Sequence, residues 1–330
     1  MNRFANIGVA GAGAWGTALA NAAARAGARV ILWARDKAQA ETLARERENR
    51  RRLPGVRLDP SVTPTDDHTK LSATQALLIA VPAQAVRGVC MQLAQITSEG
   101  CPIVVCAKGI EQGTQRFMTG IVAEVMPHAA PAILSGPSFA ADVAAGLPTA
   151  VVIAAGVPDL AAELAAALSS PTLRLYHTTD MRGVEIGGAA KNVLAIAAGM
   201  VEGCGLGDSA RAALMARGFA ELRRFAAAHG ATPETLMGLS GLGDLMLSTS
   251  TPKSRNFAFG LALGRGEPPA AAAHGQLAEG AFTAGVLVAM ARGAGVEMPV
   301  CEAVASILDN RLSIADAIPA LMRRPVRAEE

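Results

Sequence analysis

Lys191 lies in the middle of Val184-Glu185-Ile186-Gly187-Gly188-Ala189-Ala190-Lys191-Asn192-Val193-Leu194-Ala195-Ile196-Ala197-Ala198-Gly199, a run with almost no polar residues. Such a run reads as a helix buried on most sides. An ammonium there must be paired, lose its proton or be put to use. A buried lysine with a lowered pKa is suited to general acid chemistry. Taken alone it is more readily a structural ion pair or a side chain that snorkels to the surface, but the chain has only five lysines against 25 arginines. Two other segments carry reactive groups. Leu239-Ser240-Gly241-Leu242-Gly243-Asp244-Leu245 sets a carboxylate on a glycine turn, and Ser248-Thr249-Ser250-Thr251-Pro252-Lys253-Ser254-Arg255-Asn256 is a hydroxyl-rich loop entering a helix. A helix start with Arg and Asn beside it suits a phosphate. Ser254 is also placed to be that helix's N-cap, and the two roles are compatible.

The first half supplies the elements that would bring a second reactant to these groups. The apolar run from Ala5 to Ala10 is followed by Gly11-Ala12-Gly13-Ala14-Trp15-Gly16, an alanine-rich helix to Ala26 and a second strand, Arg29 to Ala34. This order is the dinucleotide fingerprint. Gly11 permits the tight turn, Gly13 lets a pyrophosphate approach, and Gly16 lets the helix pack closely. At the end of the second strand, Arg35 would favour a ribose 2′-phosphate, whereas Asp36 would accept a 2′-hydroxyl or cap the helix Lys37 to Arg47. NADPH is therefore preferred, with NADH also accepted. Further strands are expected at Ala76–Val81, Pro102–Ala107, Ala132–Ser135, Thr149–Ala154 and Leu173–His177, with helices at Ala83–Ile96, Thr114–Met126 and Asp159–Leu168 between them. Lys108 and the turn Gly136-Pro137-Ser138-Phe139-Ala140 stand at strand ends, where doubly wound sheets bind ligands. From Asp180 onward the pattern is helical only. The fold class is thus α/β, an N-terminal Rossmann-type doubly wound sheet (residues 1–180) followed by an all-α domain (residues 181–330).

Composition agrees with two globular domains. Apolar residues make up 51% and charged residues 18%, and disorder is expected only in the last few residues, Arg324 to Glu330. A net charge of +2 and 3% aromatics give no reason to expect nucleic acid as a partner. No signal peptide is visible, and the longest apolar stretch, residues 144–167, is broken by prolines and acids, so a cytoplasmic protein without an integral membrane segment is expected. Five unpaired cysteines and scattered histidines indicate neither a disulfide framework nor a metal site.

Seven pieces together, Gly11–Leu19, Ala107–Gly109, Gly136–Ala140, Glu185–Gly199, Gly241–Leu245, Ser254–Asn256 and Glu279-Gly280, resemble the bacterial-type NAD(P)-dependent glycerol-3-phosphate dehydrogenases. Ala14 replaces a frequent serine and Ala281 a common valine. The resemblance implies reversible reduction of dihydroxyacetone phosphate, with Lys191 as acid and base and Asp244 orienting it. It implies Lys108, Gly136, Ser138, Ser254, Arg255 and Asn256 around the substrate. For the cofactor it implies Trp15, Arg35, Lys108, Ala140, Arg255, Leu277 and Glu279 beside the glycine turn, and it is compatible with a homodimer. A β-hydroxyacid or 6-phosphogluconate dehydrogenase would share the glycine turn and lysine helix, but Gly241–Asp244 and Ser254–Asn256 suit a small phosphate ester. A non-catalytic NADPH-binding protein would need neither Lys191 nor Asp244.

Overall fold

The computed structural model of the chain describes residues 3–273, 275 and 278–323; Leu277 and the segment from Arg324 to Glu330 lie outside the described residues. The first half runs β1 (Asn6–Ala10), α1 (Ala14–Arg25), β2 (Arg29–Trp33), α2 (Lys37–Glu46), a small hairpin β3 (Glu48–Asn49) and β4 (Leu53–Arg57), and β5 (Val62–Thr65). It continues with β6 (Ala76–Ile79), α3 (Val86–Leu93), β7 (Pro102–Val105), α4 (Met118–Val125), β8 (Ala130–Ser135), α5 (Ala140–Ala144), β9 (Thr149–Ala155), α6 (Pro158–Leu168) and β10 (Leu173–Thr178). Eight of the strands form one sheet in the order β10-β9-β8-β7-β6-β1-β2-β5. Every residue of β6 and β7 is buried, the continuous apolar run expected where helices cover both faces of a parallel sheet. Within this sheet only β8 and β9 pair antiparallel, so its last two strands run against the rest. The order reverses between β1 and β6, which opens a crevice at their carboxyl ends.

Local chemistry accounts for the departures from the expected elements. Strand β5 carries Pro64 yet pairs with β2, which it can do because it is an edge strand. The helix expected from Thr114 begins only at Met118. Thr114 donates to the Glu111 carboxylate and Gln115 adopts φ +57°, so this stretch forms a turn.

Beyond Thr178 the described residues form helices only: α7 (Met181–Gly203), α8 (Asp208–Ala228), α9 (Pro233–Met237), α10 (Asp244–Thr249), α11 (Arg255–Gly264), α12 (Pro269–Ala272), α13 (Glu279–Gly293), α14 (Pro299–Leu308) and α15 (Ile314–Met322). Helix α7 is the axis of this half. Asp180 caps it by accepting the Gly183 N–H at 2.7 Å. It, rather than residues 144–167, is long and apolar enough to cross a membrane, yet 94% of its most apolar window is buried inside the protein. The expected glycine turn before Asp244 is instead a single π-helical turn, Leu239–Gly243, that runs directly into α10.

Helices α7 and α11 lie parallel with their backbones in contact. A Cβ built on Gly260 would fall 2.0 Å from the Ile196 carbonyl oxygen, and one on Gly264 would fall 2.4 Å from that of Met200. Only glycine permits this approach. The offset of 64 residues persists at the start of α11, where Asn256 Nδ2 donates to Asn192 Oδ1 at 2.9 Å. The two halves interlock as well. Ile110 and Phe117, from the connection between β7 and α4, belong to the core of the helical half. The Arg182 guanidinium stacks 3.9 Å from the Phe117 ring centroid, and Glu185 accepts the Thr119 N–H at 2.7 Å. This seats α7 against the carboxyl ends of β7 and β8.

Candidate active site

Asp244 is 1% exposed and bridges two lysines. Its Oδ2 accepts from Lys108 Nζ at 2.7 Å and its Oδ1 from Lys191 Nζ at 2.9 Å. Lys108 comes from the end of β7, Lys191 from α7 and Asp244 from the first turn of α10, so one carboxylate ties together both halves of the chain. Lys191 also donates to Ser248 Oγ at 2.6 Å. Lys108 donates to the Gly136 carbonyl at 2.9 Å, and that oxygen accepts from Ser138 Oγ too. Among the described residues each ammonium thus spends two of its three N–H bonds and keeps one.

Electrostatics follow from this packing. Burial pulls Lys191 down to about 8; Asp244 opposes the fall, while Lys108 and Arg255 add to it. Burial would raise Asp244, but Lys108 and Lys191 outweigh it and hold the carboxyl below the usual carboxylate range. The result is an ionised carboxylate beside an ammonium poised to exchange a proton near neutral pH.

Helix α11 begins next to this group. Ser254 is its N-cap and accepts the Phe257 N–H at 3.4 Å, and Arg255 follows with its side chain exposed. The Asn256 side chain is committed inward: its amide donates to Asn192, and its oxygen accepts the Gly280 N–H at 2.9 Å. Asn192 in turn donates to the Lys108 carbonyl at 3.3 Å. One residue before Gly280, Glu279 accepts the Ala83 N–H at 3.3 Å. Burial raises its pKa, against the pull of that N–H and of Arg255.

The glycine turn lies at the crevice between β1 and β6. Gly11 has φ +112°, and a Cβ there would lie 2.7 Å from the Ala80 carbonyl oxygen at the end of β6. A Cβ on Gly16 would strike the Gly11 carbonyl oxygen, so at this position α1 packs on the turn itself, while further along it shares the core with β1. At Gly13 a Cβ would meet no heavy atom within 4 Å, which leaves the face of the turn open. These features fit a dinucleotide pyrophosphate. Trp15 and Ala140 are half-buried, and Arg35 is exposed after β2. Asp36 caps α2 by accepting the Gln39 N–H at 3.3 Å. Leu277 lies outside the described residues.

The sequence reading assigned no role to Ser248 and Asn192. Ser248 belongs to the last turn of α10, not to a loop. Its spacing of four from Asp244 is the signal that could have found it, since i and i+4 share a helix face. Asn192 adjoins Lys191, but nothing local to the sequence told which partner it would meet.

The chain is similar to known proteins over nearly its whole length. A family model described as NAD-dependent glycerol-3-phosphate dehydrogenase N-terminus matches residues 6–161, and the corresponding C-terminus model matches residues 180–319. The glycerol-3-phosphate dehydrogenase [NAD(P)+] of Azorhizobium caulinodans is 62% identical over 330 residues, covering 100% of both chains. That of Bradyrhizobium diazoefficiens is 60% identical with the same coverage. Among solved structures, the glycerol-3-phosphate dehydrogenase of Coxiella burnetii superposes with a TM-score of 0.92 at 37% identity, covering 98% of this chain and 100% of its own.

Proposed function

Because the chain belongs to the NAD-dependent glycerol-3-phosphate dehydrogenase family, we propose a division of labour among its residues for that family's reaction. The reaction is the reversible reduction of dihydroxyacetone phosphate to sn-glycerol 3-phosphate. The enzyme is an oxidoreductase using a nicotinamide cofactor, and its product is a precursor of glycerophospholipids.

When bound, the dihydronicotinamide supplies a hydride for the ketone carbon. Lys191 supplies the proton. Its one uncommitted N–H gives a proton to the ketone oxygen in reduction, and the free amine takes one back in oxidation. Asp244 and Ser248 fix the direction of that N–H by accepting the other two. Lys108 offers its remaining N–H to the substrate oxygens or to the cofactor, beside Gly136 and Ser138. Ser254 keeps a hydroxyl proton to donate after capping α11, and Arg255 adds full charge for the phosphate. Asn256 contributes through its backbone N–H, because its side chain is occupied. The bridge Lys108–Asp244–Lys191 is the observation that carries this reading.

On the cofactor side, Gly11, Gly13 and Gly16 receive the pyrophosphate, with Trp15, Ala140, Lys108, Arg255, Leu277 and Glu279 along the rest of the molecule. Arg35 meets the 2′-phosphate. Support for NADPH over NADH comes from Arg35 at the end of β2 and from Asp36, whose Oδ1 is engaged in its helix cap. In this reading residues 1–180 carry the cofactor and residues 181–330 carry the acid and the phosphate site, in a cytoplasmic enzyme that assembles as a homodimer.

The test is NADPH oxidation over a panel of phosphorylated and unphosphorylated ketones. Dihydroxyacetone phosphate is the expected substrate. At saturating NADPH, Arg255→Ala should raise its KM by about 10–150-fold, the value of a hydrogen bond to a charged group, and raise the KM for unphosphorylated dihydroxyacetone far less. An unchanged KM would remove Arg255 from the phosphate site.

A further inference from the structure

The hairpin of β3 and β4 reaches the glycine turn. Asn49 on β3 is 4% exposed, and its Nδ2 donates both to the Ala12 carbonyl at 3.0 Å and to Thr17 Oγ1 at 2.8 Å. Gln39 on α2 donates its Nε2 to the same Ala12 carbonyl at 2.7 Å. Both lone pairs of that oxygen are thereby taken by side chains from two different elements. The peptide joining Ala12 to Gly13 is planar and trans, so its N–H points opposite to its C=O. Holding the carbonyl toward Asn49 and Gln39 therefore holds the Gly13 N–H away from them. That N–H has no hydrogen-bond partner among the described residues, and the space around Gly13 is open.

We propose that Asn49 and Gln39 are positioning residues that fix the Gly13 N–H as a donor for the cofactor's pyrophosphate, which makes the hairpin part of the cofactor site. The proposal rests on the reading of Gly11–Gly16 as the dinucleotide turn. Thr17 completes the arrangement, since Asn49 binds the turn and the first helical residues after it together. Without the two amides the peptide is free to rotate, and the donor must be ordered at the moment of binding.

The experiment compares wild type with Asn49→Ala, Gln39→Ala and Gly13→Val by titration calorimetry. The ligands are ADP-ribose, which carries the pyrophosphate, and adenosine 2′-monophosphate, which lacks it. Asn49→Ala and Gln39→Ala should each raise the Kd of ADP-ribose by about three- to tenfold, the range of one ordinary hydrogen bond. The Kd of adenosine 2′-monophosphate should change by less than twofold, and the KM for dinucleotide should rise more than kcat falls. Gln39 is only half-buried on a helix surface, so its variant folds even if that of Asn49 does not. Equal weakening of both ligands, or no weakening of ADP-ribose, would overturn the proposal. Gly13→Val separates it from the reading beneath it. If that variant binds ADP-ribose as wild type does, the turn is not the pyrophosphate site. If it loses ADP-ribose while both alanine variants keep it, only the positioning role fails.

Discussion

Replacing Asp244 with asparagine removes the negative charge between the buried ammonium of Lys191 and the half-buried one of Lys108 while keeping the shape of the side chain. A unit charge at 4 Å contributes roughly 4 kcal/mol at an effective dielectric near 20, and Asp244 is closer than that to both lysines. Losing one- to two-thirds of that attraction lowers Lys191 from about 8 to about 6–7, since 1.36 kcal/mol corresponds to one pKa unit. At pH 7.5 about three-quarters of Lys191 is protonated in the wild type, against about 3% at a pKa near 6. Reduction of dihydroxyacetone phosphate should fall by up to about 25-fold at that pH and recover as the pH is lowered toward 5.5. The assay is kcat for reduction at saturating NADPH, measured from pH 5 to pH 9. In the wild type the rate should decline as pH rises through about 8, and oxidation of glycerol 3-phosphate should rise over the same interval. A variant whose rate falls by one constant factor at every pH, with its limb still near 8, would show that Asp244 does not set the protonation of Lys191.

Arg35→Asp should reverse the preference between NADPH and NADH chiefly by weakening NADPH; dissociation constants for both cofactors test this, and equal loss of both would exclude Arg35 from the 2′ position. Gly260→Val should force α7 and α11 apart at the Ile196 carbonyl. It should cost about 1–3 kcal/mol or more, read as a fall in Tm of several degrees together with a raised KM for substrate. Glu221 is buried and accepts the Val300 and Cys301 N–H groups, and burial raises its pKa from 4.5 to about 7. Between those values the folded state holds a proton that the unfolded state has lost, so stability should fall as pH rises through the window, by at most about 3 kcal/mol. Glu221→Gln should flatten that part of the Tm profile, and an unchanged slope would assign it to other groups.

What the sequence made legible is what depends on local pattern. Strands such as Ala76–Ile79 and Pro102–Val105 announce themselves as uninterrupted apolar runs, and the glycine turn announces itself by its place between a strand and a helix. The hairpin and β5 were hidden because Pro54, Gly55, Pro60 and Pro64 punctuate them like loop residues; an edge position beside β2 permits strand geometry in β5, while β3 and β4 pair with each other in a separate sheet. Lys191 and Asp244 were visible as charges out of place. That Asp244 would also hold Lys108, 136 positions away, and that the Asn256 amide would turn inward to Asn192, were not visible. Those partners are chosen by helix packing, and the glycines that set it carry no charge or motif of their own.

The contact between α7 and α11 has a consequence for how the enzyme could change its substrate. Most pockets are bounded by side chains and are widened or narrowed by swapping them. Here Lys191 and the start of α11, the proposed acid and phosphate site, belong to two backbones that touch, at Ile196 with Gly260 and at Met200 with Gly264. At those two contacts glycine meets backbone directly, and no side chain stands there to be trimmed. In the proposed assignment, the span from Lys191 Nζ to the start of α11 therefore behaves as a fixed gauge, suited to a short phosphorylated chain. A descendant adapted to a longer ketose phosphate would have to displace a whole helix, breaking several glycine contacts at once, so a change of specificity by this route passes through a loss of stability first.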